Sequence, residues 1–384
     1  MFLVVREGDI KAGIATDKYF IWTEKILKEK GVNPYVIAEF TASRWGIFSG
    51  LNDVLRLMEG RDVDVYGMPE GTLFFPHEPV MVVAGKYLEF ARFETAILGF
   101  ICHSSGISTK AFRAKLAAGE KRILSFGTRR QHPALAAMIE RAAWIAGVDG
   151  VSNYAAEKYL GIESLGTMPH ALIISFGDQV KAWKAYHEVV DENVPRTMLV
   201  DTYCDEKTEA IRAVENVERV DAVRLDTPGS RRGDIRKIIE EIRWELKIRG
   251  KENVRIVLSG GVDIGDIYSL RDTVDSFGVG TSIAGAGPID FSMDIVEREG
   301  EFCAKRGKRG GMKQVYRDWE KLEDEMRLFR DRTPEGMEPL LKKYMESGRI
   351  VQETDMEESR RIAIRQMEII RKIGREEDFI FDRV

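Results

Sequence analysis

Two arginines and a histidine stand in the turn of SFGTRRQHP, residues 125–133. Ile123, Leu124 and Phe126 predict a strand before this turn, and the proline at 133 begins an amphipathic helical pattern after it. The arginines, Arg129 and Arg130, would therefore lie between the carboxyl end of a strand and the amino end of a helix, where α/β folds bind ligands. Guanidinium groups at such a place suit a carboxylate or a phosphate. A solvated surface turn is the alternative that this segment alone leaves open.

Carboxylates follow two later predicted strands. Asp201 lies in LVDTY (199–203) and Asp226 lies in VRLDT (223–227). Arg224 comes two residues before Asp226, so the two side chains would face the same side of their strand. Carboxylates at these positions could bind ribose hydroxyls or Mg²⁺ on a polyphosphate, and helix capping is the alternative.

Glycine turns follow two further predicted strands, in SGGVD (259–263) and FGVGTS (277–282). Backbone N–H groups in such turns can approach a phosphate closely. Two turns after consecutive strands would suit one terminal phosphate held between them. The candidate phosphate-binding residues are Ser259, Gly260, Gly261, Gly280 and Thr281.

A histidine closes the stretch SLGTMPH, residues 164–170, which, like 127–133, combines a Gly-Thr turn with a proline and a histidine. His170 could act as an acid, a base or a phosphate acceptor, and a structural turn histidine is the alternative. The chain contains no HExxH, P-loop or GxSxG pattern that would indicate a different chemistry.

Composition narrows the class of protein. The 384 residues carry a formal net charge of −5, which argues against a general nucleic-acid binder. Cys102, Cys204 and Cys303 are too far apart for a disulfide framework or a zinc site, so no metal ligand is predicted. No secretory signal or membrane span is predicted, and we expect a cytoplasmic enzyme without a membrane partner.

The spacing of apolar residues divides the chain into three regions. Residues 1–120 mix strands and helices, which predicts an α+β domain. Residues 121–300 alternate short strands with helices, which predicts a parallel sheet or barrel whose strand ends carry the site. Residues 301–384 begin with the basic, glycine-rich AKRGKRGGMK (304–313) and continue with charged segments predicted to be helical at 336–348 and 356–374.

Together with TDKYF (16–20), these motifs occur in an order that resembles the nicotinate phosphoribosyltransferases. The stretch AKRGKRGGMKQVYR (304–317) is similar to the carboxy-terminal signature of that family. The resemblance implies a type II phosphoribosyltransferase, with an incomplete TIM-like α/β barrel, an amino-terminal α+β open sandwich and, here, a helical C-terminal extension. It also implies transfer of phosphoribose from phosphoribosyl pyrophosphate (PRPP) to the ring nitrogen of nicotinate in NAD biosynthesis, with coupled ATP hydrolysis.

The same resemblance implies a role for each matching residue. Phe126 would stack on the pyridine ring, with Arg129 beside it and Arg130 on the carboxylate or the pyrophosphate. His170 would be phosphorylated by ATP, and the two glycine turns would hold the 5′-phosphate. The remaining residues around ribose, pyrophosphate and substrate would be Thr167, Asp201, Thr202, Arg224 and Asp226.

Cofactors and partners also follow from the resemblance. Mg²⁺ would accompany PRPP and ATP, and ATP would be a co-substrate. Tyr19 matches a tyrosine that reaches into the site of a neighbouring subunit. The resemblance therefore implies a homodimer or a larger homo-oligomer with shared active sites.

Quinolinate phosphoribosyltransferase, which has the same fold, is the alternative enzyme. The stretch SSGISTKAFR (104–113) resembles a helix of that enzyme whose arginine crosses the dimer interface, and Arg113 would be that arginine here. The Gly-Thr-x-x-His motif and the chain length favour the nicotinate enzyme, and Met168 in place of an aspartate disfavours a nicotinamide enzyme. A non-catalytic sensor of PRPP or a nucleotide is the alternative outside enzymes.

Overall fold

The structure is a computed structural model that describes residues 2–384. The chain forms two compact units. The first, here the antiparallel unit, contains the described residues up to Phe112 together with Ile145–Gly147 and Gly287–Val384. The second, here the parallel unit, contains Arg113–Trp144 and Val148–Ala286. The predicted regions changed at residues 120 and 300, whereas the units change at 112 and 286.

Strands and helices occur in both units. The strands are β1 (Tyr35–Ala42), β2 (Gly46–Ile47), β3 (Val63–Gly67), β4 (Leu73–Phe74), β5 (Pro79–Lys86), β6 (Arg122–Ser125), β7 (Gly150–Val151), β8 (Thr197–Leu199), β9 (Ala222–Leu225), β10 (Arg255–Leu258), β11 (Ser276–Val279), β12 (Phe291–Arg298), β13 (Glu301–Phe302), β14 (Lys313–Asp318), β15 (Glu323–Leu328), β16 (Glu338–Pro339), β17 (Lys342–Glu346) and β18 (Arg349–Ile350). The α-helices are α1 (Glu7–Lys11), α2 (Lys18–Glu29), α3 (Leu51–Met58), α4 (Tyr87–Phe90), α5 (Glu94–Ala118), α6 (Ala136–Ile145), α7 (Ala155–Leu160), α8 (His170–Phe176), α9 (Gln179–Val189), α10 (Glu206–Asn216), α11 (Ile235–Ile248), α12 (Ile264–Leu270), α13 (Thr281–Ala284), α14 (Met356–Lys372) and α15 (Glu376–Ile380). Within residues 2–384, every helix is too short or too polar to span a lipid bilayer.

The antiparallel unit is built on a seven-stranded sheet in the order β13-β12-β1-β5-β3-β17-β18. Strand β5 is buried along almost its whole length, and Phe40 of β1 is completely buried beside it. Helix α3 adds Leu51, Val54 and Leu55, at the three- and four-residue spacing of one helical face, to the same apolar core. Burial of this shared face stabilises the unit.

The parallel unit is built on a six-stranded sheet in the order β7-β6-β11-β10-β9-β8, in which every neighbouring pair is parallel. Helices connect the strands, and aspartates fix where several of them begin: Asp205, Asp234 and Asp263 accept hydrogen bonds from the first backbone N–H groups of α10, α11 and α12. The mixed α/β fold is confirmed, and this unit is an α/β barrel-like domain. Its sheet is not closed, because β7 and β8 are edge strands.

The predicted helical C-terminal extension is wrong for most of its length. Residues 336–348, expected to be a helix, contain β16 and β17. Strand β17 pairs with β3 in the seven-stranded sheet, and it buries Tyr344 and Met345. The charged residues around them fit a helix pattern equally well, so the distant pairing with β3 decides the conformation. Helix α14, in the segment predicted at 356–374, is helical as expected.

Candidate active site

A cavity of about 500 Å³ lies in the parallel unit, where residues following β6, β9, β10 and β11 meet. Parallel strands place their carboxyl ends at one edge of a sheet, so side chains far apart in sequence converge there. Ten of the predicted site residues line this cavity: Phe126, Arg129, Arg130, Arg224, Asp226, Ser259, Gly260, Gly261, Gly280 and Thr281. The sequence-based grouping of these residues therefore corresponds to one concave surface.

Arg224 is the polar exception in β9, whose other three residues are apolar and buried. Its Nε donates a hydrogen bond to Ser259 Oγ at 3.1 Å, and its Nη2 lies 3.1 Å from Asp226 Oδ2. Its Nη1 donates to the hydroxyl of Thr167. The guanidinium carbon is also 5.9 Å from the centre of the Phe126 ring. These contacts fix the orientation of the guanidinium group at the cavity wall.

The ends of β9 and β10 are joined by a short hydrogen-bond chain. Ser259 Oγ donates to Asp226 Oδ1 at 2.6 Å, which orients the carboxylate towards the cavity wall. Gly260 has φ +86°, and a Cβ atom there would lie 2.3 Å from the backbone oxygen of Asp226. A side chain at 260 would therefore push the two strand ends apart, which explains glycine at this position.

A second carboxylate lies deeper, at the end of β8. Asp201 Oδ2 accepts hydrogen bonds of 2.7 Å from the Asp226 backbone N–H and from the Thr227 hydroxyl. Its other oxygen, Oδ1, is buried and has no hydrogen-bond partner in residues 2–384. Burial raises the pKa of the Asp201 carboxyl, and these hydrogen bonds only partly oppose the effect. Asp201 is therefore a buried acceptor whose second oxygen has no hydrogen-bond partner in residues 2–384.

His170, the first residue of α8, stands between the two carboxylates. Its Nε2 lies 3.5 Å from Asp226 Oδ2 and 3.8 Å from Asp201 Oδ1. Its Nδ1 lies 3.1 Å from Thr202 Oγ1. An imidazole flanked in this way can hold and move a proton next to the cavity.

Arg129 and Arg130 differ from Arg224 in having no ion pair within residues 2–384, and both are exposed. They belong to a single 3₁₀ turn, Thr128–Arg130, after β6. The residue before this turn, Gly127, packs closely against the end of β11. A Cβ atom on Gly127 would lie only 2.4 Å from the backbone oxygen of Gly280. Two unpaired guanidinium groups on an anchored backbone are suited to bind an anionic ligand.

The two glycine turns lie side by side on neighbouring strands, β10 and β11. Gly260 and Gly261 have φ values of +86° and +84°, a conformation that directs backbone N–H groups into a concave surface. Gly280 and Thr281 line the same cavity at the amino end of the short helix α13. Both turns can therefore contribute backbone donors to one anion.

Six predicted site residues do not line the cavity. Four of them contact its lining residues or one another: Thr167, His170, Asp201 and Thr202. The other two are Tyr19 and Arg113. Tyr19 is on α2 in the antiparallel unit, and its side chain is 55% exposed. Arg113 is on α5 and is partly exposed. Any role of these two residues in the site remains a prediction.

Sequence reasoning missed several residues that shape the site. Thr227 positions Asp201, and its place directly after Asp226 was the available signal. Glu209, buried on α10, accepts the backbone N–H groups of residues 202–204, and nothing in its sequence context distinguished it from a surface glutamate. Gly278, which belongs to the predicted FGVGTS turn, has a further role: it leaves room for Phe126, since a Cβ atom there would lie 2.5 Å from that ring.

In the described part of the chain, no group of three or more His, Cys, Asp or Glu side chains is arranged to hold a metal ion. The carboxylate oxygens of Asp201 and Asp226 are nevertheless the kind of ligand that Mg²⁺ prefers. A magnesium ion would therefore need further oxygen ligands, such as those of a polyphosphate.

Comparisons with known proteins agree with a two-domain enzyme. Residues 17–105 match the family model "Quinolinate phosphoribosyl transferase, N-terminal domain", and residues 107–294 match the model of the C-terminal domain of the same family. A nicotinate-nucleotide pyrophosphorylase from Pyrococcus furiosus is 49% identical, with a TM-score of 0.93 over 96% of this chain and 98% of that one.

Other relatives carry a different name. A nicotinate phosphoribosyltransferase of Mycobacterium tuberculosis is 34% identical over 274 residues, which is 67% of this chain and 57% of that protein. The present chain thus spans little more than half the length of that relative. The human nicotinic acid phosphoribosyltransferase structure, at 20% identity and a TM-score of 0.73 over 92% of this chain and 94% of that one, supports the fold alone.

The prediction of a nicotinate phosphoribosyltransferase with ATP as co-substrate is wrong. Both domain models and the 49% identical structure overturn it, and they favour the alternative, an enzyme family that does not use ATP as co-substrate. The motifs quoted above occur in the right order, but that order does not separate the two enzymes. The chain belongs to the quinolinate phosphoribosyltransferase family.

Proposed function

We propose that this protein transfers phosphoribose from PRPP to the ring nitrogen of quinolinate and releases nicotinate mononucleotide, CO₂ and pyrophosphate. The observation that carries the proposal is the cavity of the parallel unit, which presents three arginines beside Asp226 and two glycine turns. All the substrates are anionic, and all these cationic groups line one surface.

The two unpaired arginines support a substrate with carboxylate groups. Quinolinate carries two adjacent carboxylates, and Arg129 and Arg130 supply two forked donors from one turn. Phe126, at the start of the same loop, offers a flat face for the pyridine ring. We propose that this loop binds quinolinate.

The rigid part of the site is proposed to bind the ribose. Breaking the C1–O bond of PRPP develops positive charge on the sugar and negative charge on the leaving pyrophosphate. The Asp226 carboxylate would stabilise the sugar, and Arg224, held at 3.1 Å from it, would face the departing oxygen. The free oxygen of Asp201 could accept a ribose hydroxyl or meet the Mg²⁺ that accompanies PRPP.

The glycine turns and His170 complete the assignment. We propose that Ser259, Gly260, Gly261, Gly280 and Thr281 surround the 5′-phosphate. We propose that His170 and Thr202 donate hydrogen bonds towards the pyrophosphate, since His170 lies beside Asp226. Thr167 would position Arg224.

The reaction needs no reactant beyond PRPP, quinolinate and one proton from solvent. The lone pair of the ring nitrogen forms the new bond to C1, and the C1–O bond breaks with its electrons leaving on pyrophosphate. The bond from ring carbon 2 to its carboxylate then breaks, CO₂ departs, and one proton takes its place on that carbon. The positive ring nitrogen stabilises the electron pair left behind, so the protein mainly binds and orients.

The test is product formation from PRPP and Mg²⁺ with quinolinate, nicotinate or nicotinamide, each with and without ATP. We expect nicotinate mononucleotide and one equivalent of CO₂ from quinolinate, at a rate that ATP does not change. Product from nicotinate alone, with stimulation by ATP, would overturn the proposal. The absence of product from quinolinate, nicotinate and nicotinamide would also overturn the proposal.

We also propose a homo-oligomer and an incomplete TIM-type barrel for the parallel unit. Tyr19, Trp22 and Ile26 form an exposed apolar stripe on α2, which supports a subunit contact. Sedimentation at several protein concentrations tests the assembly, and Trp22→Glu should shift it towards monomer.

Arg113 is proposed to complete the site of another copy, and mixing Arg113→Ala with Arg224→Ala protein would then restore part of the activity.

A further inference from the structure

Glu140 is a completely buried carboxylate beneath the loop that carries Arg129 and Arg130. It lies on α6, and its Oε1 accepts a hydrogen bond from the Asn153 backbone N–H at 3.2 Å. The same oxygen accepts the hydroxyl of Thr128 at 3.4 Å. One carboxylate oxygen therefore joins the loop after β6 to the loop after β7.

The three residues form a closed set of contacts. Asn153 Nδ2 donates to Thr128 Oγ1 at 3.0 Å, so Thr128 is held by both Glu140 and Asn153. Thr128 directly precedes Arg129, and its carbonyl accepts the backbone N–H of residue 131 at 3.0 Å. A displacement of Thr128 would therefore move the backbone on which both arginines are carried.

Glu140 has no cationic side chain within ion-pair distance in residues 2–384. Burial raises its pKa to about 7, although hydrogen bonds partly oppose this effect. A buried carboxylate without a counter-ion costs stability, and an apolar residue on this face of α6 would avoid that cost. The contact with the loop that carries Arg129 and Arg130 would explain why a destabilising carboxylate stands at this position.

We propose that Glu140 is a positioning residue that sets the place of Arg129 and Arg130 through Thr128 and Asn153. Glu140 does not line the cavity, so it acts on substrate only through the loop. The inference rests on the proposed function in naming quinolinate as the ligand of that loop. The mechanical part, that Glu140 orders residues 126–131, holds for any ligand.

The experiment uses the full chain with Glu140→Ala, Glu140→Gln and, as a matched control, Asp149→Ala. Asp149 accepts the backbone N–H of residue 123 at the opposite end of β6 and pairs with Lys115 at 2.8 Å. The control thus removes a carboxylate that also accepts a backbone N–H group, but at the end of β6 away from the cavity. Each variant is compared by steady-state kinetics and by hydrogen exchange of a peptide covering 126–135.

For Glu140→Ala we expect KM for quinolinate to rise roughly ten- to hundredfold, because small displacements of binding groups have effects of this size. KM for PRPP should change much less, and hydrogen exchange in the loop should become faster. Glu140→Gln keeps an acceptor oxygen and should restore most of both properties. Asp149→Ala should lower the melting temperature without changing KM for quinolinate.

Unchanged loop exchange in Glu140→Ala, or a loss shared equally with Asp149→Ala, would overturn the inference. If Glu140→Ala does not fold, Thr128→Val removes the same contact, and an unchanged KM in that variant overturns it. If the wild-type protein does not use quinolinate, the proposed function fails. The exchange measurement then still decides the positioning role.

Discussion

Each of the two units contains an arginine paired with a carboxylate, and the two pairs differ in what they leave open. Arg317, in the antiparallel unit, is completely buried. Its Nε donates to Asp324 at 2.7 Å, and its other donors reach Gln366 at 2.9 Å and the backbone oxygen of residue 73 at 2.7 Å. Arg224, in the parallel unit, has a comparable number of partners, but its side chain is 13% exposed and faces a cavity.

The difference teaches how to separate a structural arginine from a functional one. All the contacts of Arg317 are with groups inside the protein, so its guanidinium group stabilises the packing of strands and helices. The contacts of Arg224 fix its orientation, yet one side of its guanidinium remains available to a ligand. Orientation by the protein combined with access from the cavity is the property that a transition-state stabilising group needs.

The largest expected effect is on stability. Arg317→Met leaves the Asp324 carboxylate buried without its partner and should lower the free energy of unfolding by about 3–5 kcal/mol. Denaturant unfolding measures this, with kcat and KM determined well below the transition. Arg317→Met combined with Asp324→Leu should recover much of the loss, since an apolar pair replaces the ionic one. A fall in kcat of the folded variant would break the distinction between the two arginines.

The next effect is on catalysis. Arg224→Ala should lower kcat roughly 100- to 1000-fold, because it removes an oriented donor from the proposed leaving-group side. Arg224→Lys keeps the positive charge but loses the forked guanidinium donors. Its kcat should lie between those of the wild type and Arg224→Ala. Steady-state kinetics with varied PRPP and quinolinate gives these values, and circular dichroism checks the fold. Wild-type kcat in Arg224→Ala would make this arginine as structural as Arg317.

Arg129→Ala and Arg130→Ala should have a smaller effect, on binding. Each should weaken quinolinate binding by about 1.5–3 kcal/mol, the range for a hydrogen bond to a charged group. Since both side chains are exposed, the wild-type KM for quinolinate should also rise with ionic strength. Titration of quinolinate at two salt concentrations measures both effects. Unchanged affinity in both variants would remove the loop from the substrate site.

The smallest expected effect concerns Asp201 and pH. Burial raises the pKa of its carboxyl in the folded protein, so the folded state binds the proton more tightly than the unfolded state. The protonated Asp201 carboxyl therefore contributes to the free energy of unfolding of the wild-type protein. This contribution is lost as pH rises through the pKa of Asp201 in the folded state. Asp201→Asn keeps an oxygen for the Asp226 N–H and should be more stable than wild type by about 1 kcal/mol at pH 8, a typical size for one substitution.

The advantage of Asp201→Asn should disappear towards acidic pH, and its activity should be low at every pH. Thermal unfolding between pH 4.5 and 8 with both proteins measures the difference. A variant less stable than wild type at pH 8 would contradict the argument from burial.

Much of the site could be predicted from the sequence, because the positions of its residues follow from the local pattern of apolar, polar and glycine residues. Short apolar segments followed by polar or glycine residues marked the ends of β6, β8, β9, β10 and β11, and ten of the predicted residues line one cavity. The rules of parallel sheets then bring those ends together without further information. The choice between nicotinate and quinolinate could not be made this way, since the order of these motifs does not separate the two enzymes.

The sequence by itself determined the alternation of strands and helices in the parallel unit and the residue types at its strand ends, because both follow from side-chain periodicity and backbone preference. Only the tertiary structure decided that residues 342–346 form a strand, because the partner strand lies some 280 residues earlier. It also decided which polar side chains are buried: Glu140 and Glu209 have ordinary helical contexts and become site-shaping acceptors only through contacts with the loops after β6, β7 and β8. Burial and long-range pairing are properties of the folded chain, so no local pattern contains them.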